Sequence, residues 1–242
     1  MAPEDMPRLP PVDPSSARRV RPTTMTPEVL ATLLVEGDDE LAAWALESAL
    51  AERSRAEVFD GLLREAMALI GSRWQEGRWS IADEHLASQT VTRTLDRIQP
   101  PTTPESRIGP LAVLAGVTDE HHVIGLSCLE QVLVDAGWTV ANLGPDLPAA
   151  DLAAYVGANQ ADLVGLTAAL PDRADAVREA VAASRAAAAP GHPLRILLGG
   201  ALAADRDLVT ELDLDFAGDS LVAAAAFARR LAAKLAGTAP GA

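Results

Sequence analysis

The chain has 242 residues, room for one large domain or two small ones, each with its own core. Apolar residues make up 49%, which excludes a disordered chain, and the net charge of −14 argues against the basic footprint that direct nucleic-acid binding needs. Cys128 is the single cysteine, so no internal disulfide forms, and no apolar run approaches the ~20 residues of a membrane span. Without an apolar signal-peptide core, a soluble cytoplasmic protein with no membrane contact is expected.

Residues 1–26 repeat Pro and carry Arg18, Arg19 and Arg21 without periodicity, and read as a mobile tail. Helical patterning starts at Thr26-Pro27-Glu28, a cap followed by Pro at the first helical position, and pauses at Gly37. Asp38-Asp39 can cap a second helix running to Arg53, with Leu41, Trp44, Ala45 and Ala49 on its apolar face. The spacing of Val58, Leu62, Leu63, Ala66, Leu69 and Ile70 predicts a third helix over 55–75, broken by Gly77. Ser80, with Asp83 as a variant capping-box partner, starts a fourth helix to Ile98. Residues 27–99 are therefore expected to form a four-helix antiparallel bundle, followed by a Pro-rich linker over 100–106.

Over 107–238 the period changes. Strands are expected at 110–117, 138–143, 162–167, 194–198 and 214–217. Helices fill 122–136, 148–158, 172–188, a short stretch after Gly199-Gly200, and 219–236. This alternation predicts an α/β domain with a Rossmann-like, doubly wound parallel sheet. Ligands of such sheets bind beyond the carboxyl ends of the strands, so the loops from 118, 144, 168, 199 and 218 are the ones to read.

The first of these loops lacks Gly-x-Gly-x-x-Gly, and dinucleotide binding is unsupported. It reads Asp119-Glu120-His121-His122-Val123-Ile124-Gly125. Neutral imidazole is a good transition-metal ligand, and a carboxylate two residues away can orient its other nitrogen. Glu120-x-His122-x-x-Gly125 resembles the motif of cobalamin-binding Rossmann domains, which implies His122 as the lower cobalt ligand. The frame that ends on glycine selects His122 over His121. In the same family order follow Thr167 in Gly165-Leu-Thr167-Ala-Ala169, Gly199-Gly200, and Gly218 in Ala217-Gly218-Asp219-Ser220. The resemblance implies that Thr167 bonds the Glu120 carboxylate and that the glycines make room for the cofactor's nucleotide tail. Ala169 departs from the family's leucine.

In the bundle, Trp74-x9-Glu84-His85 resembles the signature of light-sensing adenosylcobalamin proteins, including repressors that carry the module behind a MerR-type DNA-binding domain. The resemblance covers residues 27–236 and implies that Trp74, Glu84 and His85 cap the upper face of adenosylcobalamin. No helix-turn-helix pattern precedes the bundle, so a stand-alone photoreceptor is expected. Its output would be a change in homo-oligomer or in contact with a separate protein effector, not an enzymatic reaction. Gln75 stands where some relatives have a second cobalt-binding histidine, which puts bis-imidazole trapping in doubt. A corrinoid shuttle for methyl transfer is the alternative; it should leave its upper face open. Some stand-alone members, the photocobilins, also bind a bilin such as biliverdin. Arg73, Arg78 or Arg93 would supply cations for its propionates, while Cys128 lies inside a predicted helix.

Overall fold

In the computed structural model, which describes residues 25–100 and 109–238, the helices begin where the sequence supplies caps. The expected tail up to Thr24 and linker residues 101–106 lie outside the described residues. Helix α1 (Pro27–Val35) opens under Thr26, whose hydroxyl accepts the Val29 N–H. Helix α2 (Asp39–Leu50) is capped by Asp38 through the Leu41 N–H at 3.1 Å. Its buried face is Ala42, Ala43, Ala45 and Leu46, with Leu41, Trp44 and Ala49 at the margin. The expected face was thus rotated, because small alanines let α2 approach α1 and α5 while the bulky Trp44 stays at the rim.

The third helix runs over 55–75 as expected but is not α-helical throughout. It comprises α3 (Arg55–Val58), a π-helical turn (Phe59–Leu63) and α4 (Arg64–Gln75). The Arg64 N–H bonds the Phe59 carbonyl five residues back, and the wider turn buries Phe59, Asp60, Leu62 and Leu63 together. Such π turns carry no sequence signal and recur at functional sites. Helix α5 (Ile81–Arg97) starts with a reciprocal capping box between Ser80 and Asp83. Helix α1 lies against both α4 and α5, and Leu30, Leu34, Phe59, Ile70, Val91 and Leu95 form the bundle core.

The second half is a five-stranded, all-parallel sheet in the order β2-β1-β3-β4-β5, with β1 (Leu111–Gly116), β2 (Thr139–Asn142), β3 (Leu163–Thr167), β4 (Arg195–Gly199) and β5 (Phe216–Ala217). Alternate residues serve opposite faces, as the pleat requires. Val113, Val164 and Ile196 pack under α7 (Ala149–Asn159) and α8 (Ala174–Ala187). Leu114, Leu163 and Leu197 pack under α6 (Ile124–Asp135) and α10 (Leu221–Thr238). Trp138 is fully buried there, and its indole N–H donates to the Ala228 carbonyl at 3.2 Å. A short α9 (Arg206–Glu211) precedes β5. The doubly wound α/β architecture is the one expected. No helix among the described residues is long and apolar enough to cross a membrane.

Candidate cofactor site

Strand order places the site. From β1 the chain turns to β2 on one side, while β3 lies on the other, so the loops after β1 and β3 diverge and leave a crevice at their carboxyl ends. Glu120, after β1, spans that switch point. Its side chain is 1% exposed. Oε1 accepts both the His122 main-chain N–H and the His122 Nδ1, each at 2.7 Å, and Oε2 accepts the Ala169 N–H from the loop after β3. Burial alone would raise the Glu120 pKa, but hydrogen bonds from Ala169 and His122 outweigh it and hold the carboxyl below its ordinary value. A carboxylate only accepts, so Nδ1 is the donor of this pair, and in the neutral ring the lone pair would lie on Nε2.

The loop that presents this pair is tightly folded. Asp119 adopts a left-handed φ of 62°, and its N–H donates to Asp146 Oδ1 at 2.7 Å. A side chain on Gly116 would meet the Glu120 carbonyl at 2.8 Å, so this glycine lets the loop fold back on its own strand. Gly200 plays a similar part after β4, with φ 83° and the Ala168 carbonyl 2.4 Å from where a Cβ would stand.

A cavity of about 590 Å³ opens at this edge between the bundle and the sheet. His121, His122 and Gly125 line it, together with Thr167, Gly199, Gly200 and Gly218. A Cβ on Gly125 would meet no other atom, so its backbone faces open space. Leu129, Leu197, Phe216 and Ala224 make an apolar arm toward the sheet. From the bundle come Phe59, Asp60, Leu63 and Met67, and from α5 Glu84, His85, Ser88 and Thr92. Glu84 is oriented by Ser88, whose hydroxyl donates to Oε1 at 2.8 Å, and Glu84 Oε2 lies 3.0 Å from His85 Nδ1.

One expected contact is corrected. Thr167 lines the cavity, but Glu120 takes the Ala169 amide rather than the Thr167 hydroxyl, because the turn after β3 aims a backbone donor at the carboxylate. Trp74 ends α4 at 44% exposure and does not line the cavity, whereas Glu84 and His85 do. Sequence reasoning also missed Asp60 and Ser88. A buried acid within an apolar helical stripe, and a hydroxyl four residues after Glu84, were the available signals.

The donors suit one kind of metal. Among the described residues no group of three or more His, Cys, Asp or Glu side chains could hold a free ion. A single oriented imidazole suits a metal whose equatorial positions are already filled by a macrocycle.

Two families, each described as a B12 binding domain, match this chain, one over residues 110–228 and one over residues 28–99. These domains indicate a cobalamin cofactor. The chain is 32% identical over 167 residues to the HTH-type transcriptional repressor CarH of Myxococcus xanthus, covering 69% of this chain and 54% of the repressor. It is 26% identical over 126 residues to dimethylamine corrinoid protein 3 of Methanosarcina acetivorans, covering 51% and 59% respectively. The chain therefore spans little more than half the length of either relative. The fold matches the monomethylamine corrinoid protein of Methanosarcina barkeri with a TM-score of 0.68 at 14% identity, over 84% of this chain and 96% of that one.

Proposed function

We propose that this chain is an adenosylcobalamin-binding light sensor whose output is a change in protein–protein contact. The observation that carries the reading is that Glu84 and His85 line the same cavity as His122. His122 would be the lower cobalt ligand, presenting Nε2 while Glu120 holds Nδ1 and fixes the orientation of the ring. Glu84, preset by Ser88, offers a carboxylate that can accept hydrogen bonds from the hydroxyls and amine of a nucleoside, and His85 adds a second polar group. Bound adenosylcobalamin supplies a cobalt–carbon bond that light can break. Helix α5 is the element through which the chain reads that event, because withdrawing the contacts of Glu84 and His85 changes what holds α5 over the sheet.

The net charge of −14 disfavours DNA as the direct reader, so a second copy or a separate protein effector is proposed. The arginines expected to serve a bilin's propionates are turned to other partners. Arg73 lies 4.7 Å over the Trp79 ring, Arg78 pairs with Glu76 and Arg93 with Asp39, and none of the three arginines lines the cavity. A corrinoid shuttle, the reading that similarity to the dimethylamine protein supports, should leave the upper wall indifferent to what it meets.

Spectra and size-exclusion chromatography of the chain loaded with adenosylcobalamin, in the dark and after light, test the proposal. A light-dependent spectrum together with a shifted elution volume or altered partner binding is expected. A light-dependent spectrum with unchanged assembly and partner binding removes the sensor. Equal affinity for methylcobalamin and adenosylcobalamin favours the shuttle.

A further inference from the structure

The upper and lower parts of the cavity belong to different halves of the chain, yet one bundle residue reaches the sheet side. Asp60, in the π turn, is buried. Its Oδ2 accepts from the Ser220 hydroxyl at 2.9 Å and the Val222 N–H at 3.0 Å, and its Oδ1 accepts from the Leu221 N–H at 3.0 Å. The first N–H groups of a helix have no partner within it. Helix α10 meets that need in two ways. Its own Ser220 hydroxyl accepts the Ala223 N–H at 3.2 Å, while Asp60, some 160 residues earlier, takes the two amides before it. Arg64, one turn after Asp60, adds a 3.3 Å contact to Asp219.

The segment held this way is part of the cofactor site. Gly218, Asp219, Ser220 and Leu221 line the cavity, directly before Ala224 in its apolar arm. The helix bearing Asp60 is in turn anchored, since Arg55 donates to Gln131 Oε1 at 2.8 Å and to Asp135 at 3.1 Å, both on α6. A capping carboxylate placed on the neighbouring domain makes the shape of this turn depend on where the bundle sits.

We infer that Asp60 is a positioning residue for the lower part of the cofactor site. It holds the β5–α10 turn in the conformation that receives the nucleotide tail of a corrinoid, and so couples docking of the bundle to grip on that tail. The inference rests on the cobalamin reading for its ligand, but not for the contact itself.

Two measurements on the full chain test it. In cofactor-free protein, Asp60→Ala should raise amide hydrogen exchange at Leu221 and Val222 about tenfold, the scale of a lost cap, while amides in the middle of α10 stay protected. In binding titrations, Asp60→Ala should weaken cobalamin by about tenfold yet leave cobinamide, which lacks the nucleotide tail, within about twofold. Asp60→Asn, which keeps one acceptor oxygen, should recover part of the loss. If Asp60→Ala fails to fold, Ser220→Ala removes the hydroxyl's bond to Asp60 and its cap on the Ala223 N–H, leaves both amide bonds to Asp60, and should give the same selective loss at smaller size. Unchanged exchange at Leu221 and Val222, or equal weakening of cobalamin and cobinamide, overturns the inference. A wild-type chain that binds no cobalamin overturns the proposed function instead, and the exchange measurement still decides whether Asp60 holds the turn.

Discussion

The two walls of the cavity are built to different standards of rigidity. On the sheet side, His122 is fixed by a carboxylate that is 1% exposed and has both oxygens engaged, and its loop folds back over Gly116. On the bundle side, the Glu84 side chain is 29% exposed and that of His85 is 72% exposed. The first wall is set by the protein alone. The second is left for a ligand to complete. That division suits a sensor, because a preorganised lower ligand binds without an ordering cost, while a loosely held upper wall can change state when its contact is withdrawn.

The largest effect should come from breaking the rigid wall. His122→Ala is expected to lower cobalamin affinity by about 100-fold or more and to abolish the spectrum of an imidazole-bound alkylcobalamin, as read by absorbance titration. Glu120→Gln should cost about 10- to 100-fold, because it frees the ring and leaves an amide where two N–H donors and Nδ1 need an acceptor. If His121→Ala has the His122 effect and His122→Ala does not, the assignment of the lower ligand is wrong.

The second wall should show selectivity rather than raw affinity. Glu84→Ala is expected to weaken adenosylcobalamin by about tenfold, the worth of one good charge-assisted hydrogen bond, with methylcobalamin nearly unchanged. Trp74→Ala should do the same to a lesser degree, since Trp74 is half-exposed at the end of α4 and off the cavity wall. Equal losses for both cofactors would show that this wall supports the fold and does not read the upper ligand.

The same contrast governs what could be read from the sequence. Caps at Thr26, Asp38 and Ser80 and the alternation of strands with helices predicted the fold, because capping and periodicity are local and written in side chains. Pairing of Glu120 with His122 was legible for the same reason, since both lie in one short loop. The partner of Glu120 Oε2 was not. Thr167 was the visible hydroxyl, but the donor is the Ala169 main-chain N–H, and a backbone amide has no letter of its own. Asp60 was hidden for another reason. Its three donors follow it by some 160 residues, and the π turn that buries it leaves no periodic signature.

Ser88 offers a finer test of the looser wall. Its hydroxyl donates to Glu84 Oε1 at 2.8 Å, and Thr92 donates in turn to the Ser88 carbonyl one turn on. Ser88→Ala removes the orienting bond while Glu84 stays in place. A loss of about two- to fivefold in adenosylcobalamin affinity is expected, confined to that cofactor and restored by Ser88→Thr. If Ser88→Ala changes methylcobalamin binding equally, Glu84 is not being oriented toward an upper ligand.

The smallest effect is expected where the two walls meet. Cys128 sits on α6, lines the cavity and packs with the bundle core at 4% exposure. Burial pushes its thiol up to about 12 from an ordinary value of 9.0, with Asp60 adding to the rise and Arg55 opposing it. The native state therefore holds the proton more tightly than the unfolded chain does. The stability this contributes is fully present below the unfolded pKa, near 9.0, and is lost as pH rises through the folded value of about 12. Urea midpoints should accordingly fall over that window more steeply for wild type than for Cys128→Ala. At pH 8 the buried, protonated thiol should resist alkylation in the dark, because the thiolate is the reactive form. If light loosens α5 over the sheet, alkylation of the cobalamin-loaded chain should quicken on illumination. Alkylation in the dark as fast as in urea would mean that the seam between the walls is already open.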